Sequence, residues 1–231
     1  MSHIHIKHHQ LLKHHQLLLE ILAVFTLFFL VRFIAKYLAV PLSGPLATVI
    51  SVAGIYVLYL RYGKNFTPLG LRRPENLWKS LGVILITLIL TIFLAVILLP
   101  YLKSMTGYTP TGESSRFDYI QGNLLALVFS VVGIAWIAAA FGEEVLFRGF
   151  LQTRLVQIFG ETKKSIAITI GLQSLLFGLL HGSILANQIF AGLIAILYGT
   201  IYFTLAKRSL LPLIIAHAIP DTISFIQIYN T

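Results

Sequence analysis

The sequence predicts an all-α membrane protein, a bundle of about seven transmembrane helices with a polar site buried among the last four. Three observations predict it. Of the 231 residues, 57% are hydrophobic and only 11% are charged, far from the balance of a soluble domain. Seven apolar stretches approach or exceed the roughly 20 residues that a helix needs to cross the hydrocarbon core. Ionisable side chains lie within these stretches. Placing an unpaired charge in the hydrocarbon core costs free energy, so such side chains are candidates for a functional site.

The apolar stretches define the predicted helices and divide the chain into three parts. The helices are 17–38, 44–62, 80–101, 124–157, 165–181, 183–206 and 209–228. Residues 1–16 are a His-rich lead-in, 17–122 hold three helices and an interfacial loop, and 123–228 hold the four helices with the polar groups. The lead-in is expected to be solvated or interfacial. A metal site at His5 and His9 is less favoured because no acidic or Cys ligand accompanies these histidines.

Two polar connections and the composition limit the function classes. The connection 63–79 carries basic residues and Trp78, which suits a membrane interface, and 102–123 is the longest polar stretch. Cysteine is absent, which excludes disulfides, thiolate metal sites and a Cys nucleophile. The net charge of +9 comes from basic residues in short loops, a pattern that favours membrane orientation over nucleic-acid binding.

Counting Lys and Arg on each side of the membrane predicts the orientation. One side has twelve and the other four, with Arg148 set aside as intramembrane, so we expect a cytoplasmic N-terminus and an external C-terminus in a bacterial plasma membrane. The first side holds Lys7, Lys13, Arg61, Lys64, Arg72, Arg73, Lys79, Arg154, Lys163, Lys164, Lys207 and Arg208. The second holds Arg32, Lys36, Lys103 and Arg116.

Two adjacent glutamates and an arginine interrupt the fourth apolar stretch. At about 100° per residue, Arg148 lies roughly 40° around the helix from Glu144 but roughly 140° from Glu143. Glu144 and Arg148 are therefore expected to form an i,i+4 ion pair. Glu143 faces another direction and remains free for chemistry.

Two further pairs carry ionisable groups on the later helices. Phe177 and His181 are four residues apart, as are His217 and Asp221, so each pair shares a helix face. A single histidine like His181 is more often a hydrogen-bonded core residue than a catalytic one. Taken alone, His217 and Asp221 could be a structural pair at the Pro220 kink. Counting residues from the intervening loops places Glu143 and both histidines at nearly the same depth, so one shared site is permitted.

Together these motifs resemble those of the CPBP family, membrane-embedded proteases that include type II CaaX prenyl endopeptidases and bacteriocin-processing or immunity-associated, Abi-like proteins. The motifs are EExxxR from Glu143, FxxxH from Phe177 and HxxxD from His217. The resemblance covers about 124–228. It implies a peptide hydrolase acting on a membrane-anchored, prenylated or peptide substrate, with Arg148 bracing Glu144 and Phe177 in a supporting position.

The resemblance also implies roles for four residues. Glu143 and His181 would activate the attacking water, and His217 and Asp221 would hold or polarise the carbonyl oxygen. Many members of the family resemble one another in having Asn at the position of Asp221. An ionised Asp221 is a poor donor to an oxyanion. Asp221 could instead fix the tautomer of His217.

Two other mechanisms and two other functions stay open at this stage. We expect no cofactor, but Glu143, His181 and His217 could instead ligate a catalytic zinc. A serine mechanism fits poorly because Ser174 and Ser183, although near His181, have no base at fixed spacing. The chain could be a non-catalytic immunity or scaffold protein. An ion-coupled transporter is disfavoured because residues 1–123 repeat no polar pair.

Overall fold

The computed structural model describes residues 2–61, 63, 65–108 and 114–231. Side chains are described from Leu12 onward, except within 114–116. His5 and His9, the less favoured candidates for a metal site, therefore lie outside the described side chains. So do three of the cations used in the orientation count, Lys7, Lys64 and Arg116.

The seven predicted helices are confirmed, and the described ranges contain no strand. Among the residues that the structure describes, six helices are long and apolar enough to cross a membrane. The fifth has 17 residues and extends only about 26 Å, short of a hydrocarbon core of about 30 Å. The helices are α1 Ser2–Tyr37, α2 Ser43–Arg61, α3 Leu77–Met105, α4 Leu124–Phe159, α5 Lys163–Leu179, α6 Leu185–Thr204 and α7 Leu211–Tyr229.

The helix ends differ from the predicted ends in three places. Helix α1 begins at Ser2, so the backbone of the His-rich lead-in continues the first helix. Within the predicted connection 102–123, α3 runs on to Met105 and a 3₁₀ helix spans Ser114–Ile120. Helix α5 ends at Leu179, because Gly182 takes a left-handed conformation at φ +82°. His181 therefore lies in the turn after α5 and not on the helix, where the prediction had put it.

Side-chain caps mark where three of the helices begin. Asn76 accepts a hydrogen bond from the backbone N–H of Lys79 at the start of α3, and Asn123 does the same for Ala126 at the start of α4. Thr162 caps α5 through the N–H of Ser165. Each cap satisfies an N–H that has no partner within its own helix, which explains the polar residue before each apolar run.

Helix α4 is the central element of the bundle. It packs against α2 and α7, while α1 packs on α2, α3 on α7, and α5 on α6. Two glycines permit close approaches: a Cβ on Gly142 would lie 2.7 Å from Cγ2 of Thr48, and one on Gly178 would lie 2.6 Å from the Gln188 carbonyl oxygen. Small residues at such crossings are typical of membrane helices, because packing there depends on backbone proximity.

A buried ion pair joins α1 to α4 and corrects one expectation. Arg154 donates from Nε to Oε2 of Glu20 at 2.7 Å, and both side chains are buried. The sequence analysis counts Arg154 among the loop cations, whereas the structure buries it within the bundle. The Arg154 guanidinium also lies 5.3 Å from the ring centroids of Tyr59 and Phe150. Without Arg154 the orientation count becomes eleven to four, and the predicted orientation is unchanged.

Candidate active site

The adjacent glutamates lie on a widened part of α4. Residues Ser130–Gln152 hydrogen-bond in the π-helical pattern, from residue i to i+5. The angle per residue therefore differs from the value of about 100° that was used to predict the directions of Glu143 and Glu144. The Glu144–Arg148 pair nevertheless forms, with 3.1 Å between Oε1 and Nη1. Glu144 is fully buried, whereas the side chain of Glu143 is 20% exposed. The two carboxylates therefore face different surroundings.

Glu143 faces His181 in the turn after α5. Oε2 of Glu143 lies 4.0 Å from Nε2 of His181. The other ring nitrogen, Nδ1, lies 2.6 Å from the carbonyl oxygen of Phe177. A carbonyl only accepts hydrogen bonds, so Nδ1 carries a proton. In the neutral ring, Nε2 then presents its lone pair toward the carboxylate of Glu143.

One carboxylate oxygen of Glu144 accepts hydrogen bonds from both Arg148 and His217. This atom, Oε1, accepts from Nη1 of Arg148 and from Nδ1 of His217, both at 3.1 Å. The Arg148 guanidinium lies 4.9 Å from the ring centroid of Phe177 and 5.5 Å from that of Tyr198. Arg148 therefore links the EExxxR motif to Phe177 of the FxxxH motif. Glu144 links the EExxxR motif to His217 of the HxxxD motif.

The third motif lies on α7 beside this buried pair. Nε2 of His217 is 3.7 Å from Oδ2 of Asp221, one turn further along the helix. That distance is too long for a hydrogen bond. Glu144, at 3.1 Å from Nδ1, therefore sets the tautomer of His217, a role that the sequence had offered to Asp221. The Tyr198 ring packs edge-on to His217, with centroids 5.7 Å apart.

Two residues from the first half of the chain support the site, and the sequence analysis found neither. Arg32 on α1 donates from Nη2 to the carbonyl oxygen of Leu180 at 3.0 Å, next to the peptide that carries His181. Thr91 on α3 donates to the hydroxyl oxygen of Tyr198 at 3.4 Å. An arginine within an apolar stretch was the available signal for Arg32. Counting it among loop charges concealed that signal.

The geometry of the site also bears on the zinc and serine mechanisms. Within the described part of the chain, no three His, Asp or Glu side chains form a group that could hold a metal ion. A zinc ion would have to use Nε2 of each histidine, because both Nδ1 atoms already contact protein oxygens. Ser174, the buried serine near His181, accepts from the amide of Gln173 at 2.7 Å, which is not a base.

Comparison with protein families assigns the segment that contains all three motifs. Residues 122–223 match the model of type II CAAX prenyl endopeptidase Rce1-like proteins. This part of the chain belongs to the Rce1-like family. The match runs from the cap of α4 into α7 and confirms the predicted family. Neither the curated proteins nor the solved structures contain a match to the chain.

The Rce1-like segment and the apolar helices together define the class of protein. The family is one of CAAX-type proteases, and six helices in the described part of the chain are apolar and long enough to cross a bilayer. The chain is therefore an integral membrane protein whose C-terminal part belongs to a peptide hydrolase family.

Proposed function

We propose that the protein is an intramembrane endopeptidase in which Glu143 and His181 activate the water that attacks the peptide bond. The observation that carries the proposal is the 4.0 Å separation between Oε2 of Glu143 and Nε2 of His181. Both atoms accept hydrogen bonds when the histidine is neutral with its proton on Nδ1. A water molecule about 2.8 Å from each can donate one hydrogen to either side.

Exposure supports the choice of Glu143 over Glu144 as the base. The side chains of Glu143 and His181 are 20% and 37% exposed, so a substrate can reach them. Glu144 is fully buried and already bonded to two partners. In the proposed reaction Glu143 takes a proton from the water as the oxygen attacks the carbonyl carbon. The same proton then passes to the amine that leaves when the C–N bond breaks.

His217 is the proposed donor to the oxyanion. Its Nδ1–H bonds to Glu144, which holds the ring in place, and in the doubly protonated ring Nε2–H remains for the substrate oxygen. Asp221 lies 3.7 Å from that nitrogen and is partly exposed, so it borders the same space. Its carboxyl group donates to the oxyanion only when protonated. We therefore assign the larger share of this role to His217.

The proposed mechanism needs no metal ion, and chelation tests this directly. Purified protein is incubated with phenanthroline and assayed for peptide cleavage, with a zinc protease treated in parallel to show that the chelator works. Activity should survive, because a base and a donor are supplied by Glu143, His181 and His217. Loss of activity that a stoichiometric divalent metal restores would make these three residues ligands and overturn the metal-free version.

The substrate is expected to be a membrane-associated or lipidated peptide or protein, cut near its anchored end. Membranes from cells producing the wild type or Glu143→Gln are compared for newly formed peptide termini. Glu161→Gln provides a matched control, because Glu161 forms an exposed ion pair outside the site. Termini present with the wild type and Glu161→Gln but absent with Glu143→Gln would identify substrates. Identical termini in all three samples would favour the non-catalytic scaffold function.

A further inference from the structure

Six cations from three separate segments lie at one end of the bundle. We call them the basic end cluster: Arg72, Arg73, Lys163, Lys164, Lys207 and Arg208. The same segments, 70–79, 160–164 and 206–209, also contain Lys79 and carry only two carboxylates, Glu75 and Glu161, which leaves a net charge of +5. The cluster lies outside the proposed catalytic site, and the proposed mechanism does not use it.

Specific contacts hold the three segments together. Arg72 donates from Nη2 to the carbonyl oxygen of Lys207 at 2.5 Å, and the N–H of Leu210 donates to the carbonyl of Gly70 at 3.0 Å. Arg208 pairs with Glu161 at 3.1 Å, which brings the segment before α5 to the same place. The convergence of the charges is therefore built into the fold and does not depend on loose side chains meeting by chance.

The turn between α6 and α7 is an unusual backbone for charged residues. Lys207 and Arg208 both have left-handed conformations, at φ +48° and +64°, which residues other than glycine seldom adopt in succession. Hydrogen bonds fix the turn on both sides, from Arg208 N to the Tyr202 carbonyl and from Ser209 N to the Ala206 carbonyl. The exposed Lys207 side chain is thus presented from a rigid turn.

Two lysines of the cluster stand at an electrostatically unfavourable position. Lys163 and Lys164 occupy the first two positions of α5, directly after the Thr162 cap. The N-terminal end of a helix carries a partial positive charge and favours anions over cations. Neither lysine has a carboxylate in its own segment other than Glu161, which is bonded to Arg208. An anion from outside the chain would relieve this repulsion.

Aromatic and apolar exposure locates the cluster at the headgroup layer. Trp78 is 81% exposed and Leu77 is 70% exposed at the start of α3, five and four residues after Arg73. Exposed tryptophan at a helix end is typical of the membrane interface, where its ring lies among lipid headgroups. The net positive charge beside Trp78 therefore faces the layer that contains lipid phosphates.

We propose that the basic end cluster is a binding site for the phosphate headgroup of an anionic membrane lipid. Arg73, Lys164 and Lys207 are exposed and available for the phosphate oxygens. Arg72 and Arg208 mainly hold the segments in register. A zwitterionic lipid satisfies the site less well, because its own ammonium group cancels the charge that the cluster attracts.

The test measures lipid preference with charge-matched variants. The full-length protein is placed in nanodiscs of phosphatidylcholine with an increasing fraction of phosphatidylglycerol, and its melting temperature is followed. Retained lipid is counted by native mass spectrometry. The test variant is Lys164→Gln with Lys207→Gln. The control, Lys36→Gln with Lys103→Gln, removes the same charge from the opposite end of the bundle.

Phosphatidylglycerol should raise the melting temperature in a saturable way for the wild type and for the control. The test variant should need roughly tenfold or more of the anionic lipid for the same rise, because each basic residue near the surface adds to the attraction. Equal weakening in both variants would show an effect of net charge alone and overturn the site. An equal rise with inorganic phosphate in phosphatidylcholine nanodiscs would overturn the lipid assignment.

Discussion

Glu144 on α4 and His217 on α7 are joined by a 3.1 Å hydrogen bond between Oε1 and Nδ1, across 73 positions of sequence. The same oxygen also accepts from Arg148. Glu144 thus neutralises a buried arginine and orients the proposed oxyanion donor. The two adjacent glutamates are not duplicates: Glu143 faces the partly exposed space beside His181, and Glu144 faces the interior.

Glu144→Gln is expected to reduce both stability and activity. The substitution leaves Arg148 buried without its counter-charge, which typically costs about 3–5 kcal/mol. It also weakens the bond that orients His217. Melting temperature and cleavage rate should therefore both fall in detergent-solubilised protein.

Removing the partner charge as well should restore stability but not activity. Glu144→Gln combined with Arg148→Met should recover part of the melting temperature while cleavage stays low. Glu161→Gln serves as the control, because its exposed pair with Arg208 is worth about 1 kcal/mol or less. Wild-type stability of Glu144→Gln alone would contradict the buried pair.

Arg154→Met should destabilise the protein without changing the catalytic rate of the folded fraction. The variant leaves Glu20 buried and unpaired on α1, a loss of about 3–5 kcal/mol. Adding Glu20→Leu should return much of that stability. Thermal unfolding of the single and double variants provides the measurement. If the single variant melts like the wild type, the ion pair does not tie α1 to α4.

Arg32→Met should lower kcat by about tenfold or more, because small misplacements of a reacting group are costly. The guanidinium holds the Leu180 carbonyl beside His181 and is not expected to touch the substrate. KM should therefore change little, and Arg32→Lys should restore part of the rate. Lys36→Met, one turn further along the exposed face of α1, is the control. A rise in KM at unchanged kcat would instead place Arg32 in substrate binding.

Contacts within one helix could be predicted from the sequence, and contacts between distant helices could not. The Glu144–Arg148 pair follows from i,i+4 spacing, and it forms even on a π-helical stretch. The bond from Glu144 to His217 depends on how α4 and α7 are rotated about their own axes, which hydropathy does not specify. The same limit applies to Arg32 and Leu180, 148 positions apart.

Helix ends and buried charges near them were also difficult to predict. Leu180 continues the apolar run, and α5 was predicted to extend through His181, but the left-handed Gly182 ends it. No sequence pattern indicates that Glu20 is buried. Its burial depends on Arg154, whose position on α4 is known only once the helices are packed.

The orientation of the chain remains a prediction that a reporter fusion can test. Basic residues in the connections are concentrated on the side of the N-terminus, so that side is expected to be cytoplasmic. A reporter fused after Thr231 should therefore report an external location, and one fused near residue 65 a cytoplasmic location. A cytoplasmic signal from the C-terminal fusion would contradict seven membrane crossings, including the short α5.

The most direct test of the proposed mechanism is the cleavage rate of Glu143→Gln, measured beside its melting temperature in the same preparation. Glu143 makes no ion pair within α4, so its neutralisation should leave the protein at least as stable as the wild type. Cleavage should be abolished, because the amide cannot take the proton from the attacking water. Near-normal cleavage by Glu143→Gln, together with a folded but inactive Glu144→Gln, would contradict the account and identify Glu144 as the base.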